Sequence, residues 1–112
     1  MENLPKPYQQ FAQEHSAVWE ALEALGKAAA GEGPLDQKTR ELVKLGMAAG
    51  AGSVTAVQSH TRRALDAGAS AQEIEHTLVL GVTTLGFPTM MAALNWAKAA
   101  IADHVGRDSR NG

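Results

Sequence analysis

The stretch SVTAVQSH, residues 53–60, places residue types that handle protons on one helix face. Positions 53, 56, 57 and 60 follow the i, i+3, i+4, i+7 pattern, so in a helix they share a face. His60 can accept or donate a proton near neutrality. The first turn of a helix favours negative charge, so a thiolate at position 53 or 56 would be stabilised there. Position 53 is a serine and position 56 an alanine, so the pattern contains a base but no thiol.

Glu41 is a second candidate for proton chemistry. It lies on the flank of an apolar stripe that includes Leu42 and Leu45. A carboxylate at the edge of a buried face often has a raised pKa, which suits acid–base work. The alternative is an ordinary surface glutamate among the neighbouring lysines and arginine.

Two further residues could contact a ligand. Ser53 and His60 are seven helical residues apart, about 10 Å along the axis, whereas a nucleophile and its base must approach within about 3 Å. Ser53 is therefore predicted to be a helix N-cap that can still donate a hydrogen bond to a ligand. Arg63 could bind a carboxylate through its planar guanidinium, or simply pair with Asp66 or Glu73.

The composition excludes several classes of protein. The chain has 112 residues, no cysteine and a net charge of −2. One domain is expected at this length, and disulfides, thiolate metal sites and thiol catalysis are excluded. Without a basic cluster, a long apolar run or a hydrophobic targeting segment, we expect no nucleic-acid partner, no membrane partner and a cytoplasmic location.

No cofactor and no metal are expected either. The four histidines, at positions 15, 60, 76 and 104, show no i, i+4 ligand spacing. AAGAGS lacks the lysine of a phosphate-binding loop. The chain has 11 glycines and many alanines against five aromatic residues, and such small residues let helices approach closely. We expect that much apolar surface is buried between subunits of a homo-oligomer.

The periodicity predicts an all-α fold with five helical segments and no strand. The first runs from about 7 to 30. Asp36 begins the second, which ends at Gly50 and Gly52, and Ser53 begins the third, which ends at Gly68. Ser70 and Glu73 form a predicted capping box for the fourth, and the fifth follows Gly86-Phe87-Pro88. The apolar stripes of the first, fourth and fifth helices are predicted to be Tyr8, Phe11, His15, Val18, Leu22 and Leu25; Ile74, Leu78, Val82 and Leu85; and Met90, Met91, Leu94, Ala97, Ile101 and Val105.

A family resemblance is carried by Glu41, by the 53–60 stretch and by the following HTRRALDAGASAQEIEHTL. With DQKTRELVKLGMAAGAGS before and GFPTMMAAL after, it resembles the carboxymuconolactone decarboxylase family, which includes alkylhydroperoxidase AhpD-like proteins. The resemblance implies an AhpD-like bundle of five to six helices, assembled as a trimer or hexamer. The resemblance covers a family core over residues 34–105. We expect a single domain, residues 1–112, in which an N-terminal helix over 6–33 precedes this core and a frayed polar tail over 106–112 follows it.

The resemblance also implies a set of site residues. The peroxidase branch of the family carries C-x-x-C-x-x-x-H with a glutamate twelve residues before the first cysteine. The glutamate matches Glu41 and the histidine matches His60, but Ser53 and Ala56 stand where the cysteines would be. The decarboxylase branch resembles this chain in lacking the cysteine pair.

The leading hypothesis is a thiol-independent acid–base enzyme, a decarboxylase-like lyase acting on a small carboxylate or lactone. In it His60 is the general acid or base, Glu41 orients it or relays protons, and Arg63 and Ser53 contact the substrate. One alternative is a non-catalytic ligand-binding or scaffold subunit of the same fold. Another is an alkylhydroperoxidase or peroxiredoxin-like antioxidant activity, which the absence of cysteine disfavours.

Overall fold

A computed structural model describes residues 4–111 of the protein, with the side chains of residues 4–107. Every regular element in these residues is helical, so the predicted all-α fold is confirmed. The chain forms two compact units, residues 1–35 and 36–112. The elements are α1 (Lys6–Glu14), α2 (Ser16–Ala30), α3 (Gln37–Ala51), α4 (Val54–Asp66), α5 (Ala71–Val79), a 3₁₀ turn (Leu80–Val82) and α6 (Phe87–Asn111).

The first unit contains two helices where the periodicity predicts one. Backbone torsions of φ −132° and ψ 57° at His15 separate α1 from α2. The ring of Phe11 lies 4.9 Å from that of His15 and 6.5 Å from that of Trp19, so aromatic contacts surround the break. The remaining apolar side chains of the predicted stripe are largely exposed in the single chain: Tyr8, Phe11, Val18, Leu22 and Leu25.

The second unit is built around a hairpin of α3 and α4. The carboxylate of Asp36 caps α3 by accepting a hydrogen bond from the Thr39 amide at 2.9 Å. Gly52, at φ 69°, ends α3 in the left-handed conformation that glycine adopts without strain. Ser53 begins α4 at once by accepting from the Ala56 amide at 3.2 Å. Because so short a connection reverses the chain, α3 and α4 are antiparallel neighbours.

The conformation of the turn between α4 and α5 is also determined by local hydrogen bonds and by a glycine. Gly68 has φ 98°, and the Ala69 amide donates to the Ala64 carbonyl at 2.9 Å, which closes a Schellman motif. The predicted capping box is present: the Ser70 hydroxyl accepts from the Glu73 amide at 3.0 Å, and the Glu73 carboxylate accepts from the Ser70 amide at 2.9 Å. These local bonds set the direction in which α5 returns to the core.

The core of the second unit is formed by one face each of α3, α4, α5 and α6. Leu45, Val57 and Ile74 are fully buried, and the buried Thr61 hydroxyl donates to the Val57 carbonyl at 2.7 Å. Two predicted stripe residues lie outside the core, because Val82 follows the end of α5 and Val105 lies on the last turns of α6. Their exposed fractions are 41% and 55%.

α6 continues as a helix to Asn111 and so includes most of the predicted tail. The side chains of residues 108–111, and residue 112, lie outside the described residues. No helix in the described part of the chain combines the length and the apolar character needed to cross a membrane.

The left-handed turn at Gly68 should be sensitive to a single methyl group. Gly68→Ala should lower the free energy of unfolding by about 1–2 kcal/mol, since a Cβ is strained at positive φ even though space is open around it. Gly46→Ala is the matched control, because a Cβ there also meets nothing within 4 Å but the residue is inside α3. It should be neutral or stabilising by up to about 1 kcal/mol. Chemical denaturation measures both, and equal losses would contradict the backbone explanation.

Candidate active site

The hairpin brings Glu41 of α3 and His60 of α4 into direct contact. Nδ1 of His60 lies 2.8 Å from Oε1 of Glu41. The two residues are separated by 19 positions in sequence, so the contact depends on the antiparallel packing of the two helices. The structure thus joins the two residues that we selected for proton chemistry.

The geometry assigns different roles to the two ring nitrogens of His60. An ionised carboxylate can only accept hydrogen bonds, so Nδ1 donates to Glu41 and Nε2 is left for exchange with a ligand. The side chains of His60 and Glu41 are 19% and 11% exposed. The pair is therefore shielded but retains access to solvent, as proton exchange with a substrate requires.

The pKa of Glu41 is lowered, whereas we expected it to be raised. Burial does act to raise the pKa of Glu41, but the hydrogen bond from His60 and the charges of His60, Lys44 and Arg63 together lower it below the ordinary 4.5. The partners of the carboxylate outweigh its desolvation, which the sequence alone could not show. Glu41 is consequently an ionised hydrogen-bond acceptor that orients the imidazole, and not a stored proton.

Ser53 and Ala56 occupy structural positions at the start of α4. Ser53 is the N-cap, as predicted, and its hydroxyl proton is still free to be donated because Oγ acts as an acceptor in the cap. Ala56 is partly buried against the core cluster. The methyl group of Ala56 thus packs at the position that matches the second cysteine of the family motif, and a role of Ser53 toward a ligand stays a prediction.

Arg63 does not make either of the ion pairs considered as alternatives to ligand binding. Glu73 pairs with Lys38 at 3.0 Å, and Asp66 contacts His104 at 3.0 Å. Arg63 is exposed, and its charge contributes to the lowered pKa of Glu41. Arg63 is therefore placed near the pair, and its use as a carboxylate anchor stays a prediction.

Lys44 is a residue near the site that sequence reasoning passed over. It was considered only as one of the cations that would make Glu41 an ordinary surface residue. The structure gives it the larger effect of the two basic side chains on the pKa of Glu41. Its position three residues after Glu41, on the same helix face, was the signal available in the sequence.

The other histidines lie apart from this pair. His15 contacts Phe11 in the first unit, His76 is exposed on α5, and His104 of α6 contacts Asp66. Among the described residues, no group of three or more histidine, cysteine, aspartate or glutamate side chains could hold a metal ion.

A family model for the carboxymuconolactone decarboxylase family matches residues 17–99. The chain belongs to this family. The match includes both residues of the Glu41–His60 pair and the whole α3–α4 hairpin. No curated protein matches the sequence of this chain significantly.

A solved structure supports the same assignment at the level of the fold. The family member is similar to the apo form of a carboxymuconolactone decarboxylase family protein from Legionella pneumophila, with a TM-score of 0.76 and 26% sequence identity. The similarity covers 88% of this chain and 87% of the Legionella protein. The helical bundle implied by the sequence resemblance is thus confirmed.

The charge of Glu41 should make a pH-dependent contribution to stability. Glu41→Gln should lower the free energy of unfolding by about 1–2 kcal/mol at neutral pH, because a charge-assisted hydrogen bond becomes a neutral one. Since the folded pKa of Glu41 lies below 4.5, this contribution is complete above that value and is lost as the pH falls through the folded pKa. Denaturation curves of the two proteins should therefore converge in acid.

Glu75→Gln is the control for that experiment. Glu75 is a half-exposed carboxylate whose partner, Lys98, is 3.8 Å away, so its loss should change stability little at any pH. A difference between wild type and Glu41→Gln that stays constant from neutral pH into acid would contradict the assignment of an ionised Glu41.

Proposed function

We propose that the protein is a thiol-independent acid–base enzyme that acts on a small carboxylate or lactone. The observation that carries the proposal is the 2.8 Å contact between Nδ1 of His60 and Glu41, which leaves Nε2 as the exchanging nitrogen. Membership of the carboxymuconolactone decarboxylase family supports decarboxylation as the reaction type.

The proposed reaction needs one proton and no thiol. The bond between the substrate carbon and its carboxylate breaks, and its electron pair passes into the conjugated lactone as carbon dioxide leaves. Protonated His60 delivers a proton from Nε2 to the resulting carbanion or enolate, so the carboxylate and one proton yield the decarboxylated product and carbon dioxide. His60 then regains a proton from solvent, to which its side chain is 19% exposed.

Each neighbour of His60 has a separate part in this proposal. Ionised Glu41 stabilises the imidazolium that must form before proton delivery and fixes the orientation of the ring. The guanidinium of Arg63 is proposed to attract the carboxylate of the substrate, and the hydroxyl of Ser53 to donate a hydrogen bond to it. Nothing in the proposal requires a cofactor.

Thiol-dependent peroxide reduction is not proposed. That chemistry needs an attacking thiolate and a resolving thiol, and the sequence contains no cysteine. The family resemblance therefore extends to the proton-handling pair and not to the peroxidase reaction.

We also propose that the working form is a homo-oligomer with a small molecule as its ligand. The support is the apolar surface that a single chain leaves exposed within each unit, including Leu25 at 65%, Met47 at 69% and Phe87 at 61%. Apolar surface of this extent commonly marks contacts between protein subunits. A cytoplasmic location stays a prediction from the sequence.

The test is turnover of a panel of small lactone carboxylates, followed by carbon dioxide release. His60→Ala should lower kcat/KM by at least about a hundredfold, because the general acid is removed. Folding should be retained, since the His60 side chain is not in the core cluster. His76→Ala, which removes an exposed histidine of α5, should leave turnover unchanged.

Two outcomes would contradict the proposal. One is equal turnover by wild type and His60→Ala, and the other is ligand binding with no product from any compound, which would favour the non-catalytic subunit. The same preparations, given peroxide and a dithiol donor, should show no consumption above the blank.

A further inference from the structure

Two basic side chains flank the Glu41–His60 pair. Lys44 follows Glu41 by three residues on α3, and Arg63 follows His60 by three residues on α4, so each shares a helix face with its neighbour. Because the two helices are antiparallel, Lys44 and Arg63 lie on opposite sides of the pair. Along each helix axis, the Cα of the basic residue lies about 4.5 Å beyond the Cα of the Glu41 or His60 residue that it follows.

Neither of these cations has an acidic partner of its own. Among the described residues, Lys38 pairs with Glu73, and Lys98 pairs with Glu75, but Lys44 and Arg63 make no ion pair within 4.0 Å. The two cations share the single charge of Glu41. The set of Glu41, His60, Lys44 and Arg63 therefore carries one excess positive charge when the ring is neutral and two when it is protonated.

Lys44 is the better placed of the two to hold an anion beside the imidazole. Its side chain is half-buried, whereas Arg63 is exposed, so less freedom is lost when Lys44 engages a ligand. Side chains on a helix lean toward its N-terminus, which directs the Lys44 stem back toward Glu41 and His60. The ammonium also affects the carboxylate of Glu41 more strongly than the guanidinium does.

We propose that Lys44 binds the anionic group of the ligand at the Glu41–His60 pair and is the residue that selects a carboxylate over a neutral compound. This inference rests on the proposed function for the identity of the site. It goes beyond that function by assigning the anion contact to a residue of α3, the helix that packs against the one carrying His60.

The test uses succinate as the probe and succinamide, its neutral counterpart, as the reference. Binding is followed through the backbone amide chemical shifts of α3 and α4 in the full-length protein. Wild type should bind succinate in preference to succinamide, and Lys44→Gln should weaken succinate binding about tenfold while leaving succinamide unaffected. Lys44→Arg, which keeps the charge, should restore most of the preference.

Lys98→Gln is the matched control, since it removes the same charge from α6 and should not change either affinity. If Lys44 had only a structural role, Lys44→Gln would weaken the binding of succinate and of succinamide alike, or Lys44→Arg would not restore the preference for succinate. Unchanged succinate binding in Lys44→Gln overturns the inference, and a loss of succinate binding in Arg63→Gln alone would assign the anion contact to Arg63.

The same measurements separate this inference from the proposed function. If His60→Ala abolishes turnover but Lys44→Gln binds succinate normally, the assignment of Lys44 is wrong and the acid–base function stands. If succinate binding depends on Lys44 but no compound is turned over, the anion contact stands and the enzymatic function is wrong.

Discussion

The hydrogen bond between Glu41 and His60 is the interaction on which the chemistry proposed for this protein depends. It fixes which nitrogen of the imidazole carries the shared proton, and it keeps a partly shielded carboxylate ionised. A buried carboxylate without a donor would be protonated more readily, and a histidine without an acceptor would be free to rotate. Together they form a hydrogen-bonded pair that contains no thiol.

That contact is a product of the α3–α4 hairpin. Gly52 ends α3 in a left-handed conformation, and Ser53 starts α4 with its own side chain, so the reversal is completed within two residues. The burial of Leu45 and Val57, each about one helical turn from the pair, then holds the two helices together. Ser53 thereby has a structural role as the N-cap of α4, which does not depend on contact with a ligand. This framework needs no cysteine at positions 53 and 56, because neither a cap nor a small core residue needs sulfur.

The sequence predicted those parts of the fold that are determined locally. Caps at Asp36, Ser53 and Ser70 and the left-handed glycines depend on residues within a few positions, so their patterns could be recognised. The break at His15 could not be predicted, because the apolar stripe continues through it without glycine or proline. The exposure of Val82 was missed for a related reason: periodicity describes a helix face but does not show where the helix stops.

The two residues of the Glu41–His60 pair could be selected from the sequence, but the electrostatics around them could not. Spacing and family resemblance selected Glu41 and His60, and the structure places them in contact. The predicted direction of the shift in the pKa of Glu41 was wrong, because the shift depends on which donors and cations from two helices surround the carboxylate. Lys44 was overlooked because its effect on the pKa of Glu41 becomes visible only once the surroundings of the carboxylate are known.

The most direct measurement of the central claim is the state of the two ring nitrogens of His60, read from imidazole ¹⁵N chemical shifts as the pH is varied. The account predicts that the neutral ring is protonated at Nδ1 and bare at Nε2, and that Glu41→Gln weakens this preference. A neutral ring protonated at Nε2, with shifts insensitive to Glu41, would contradict it.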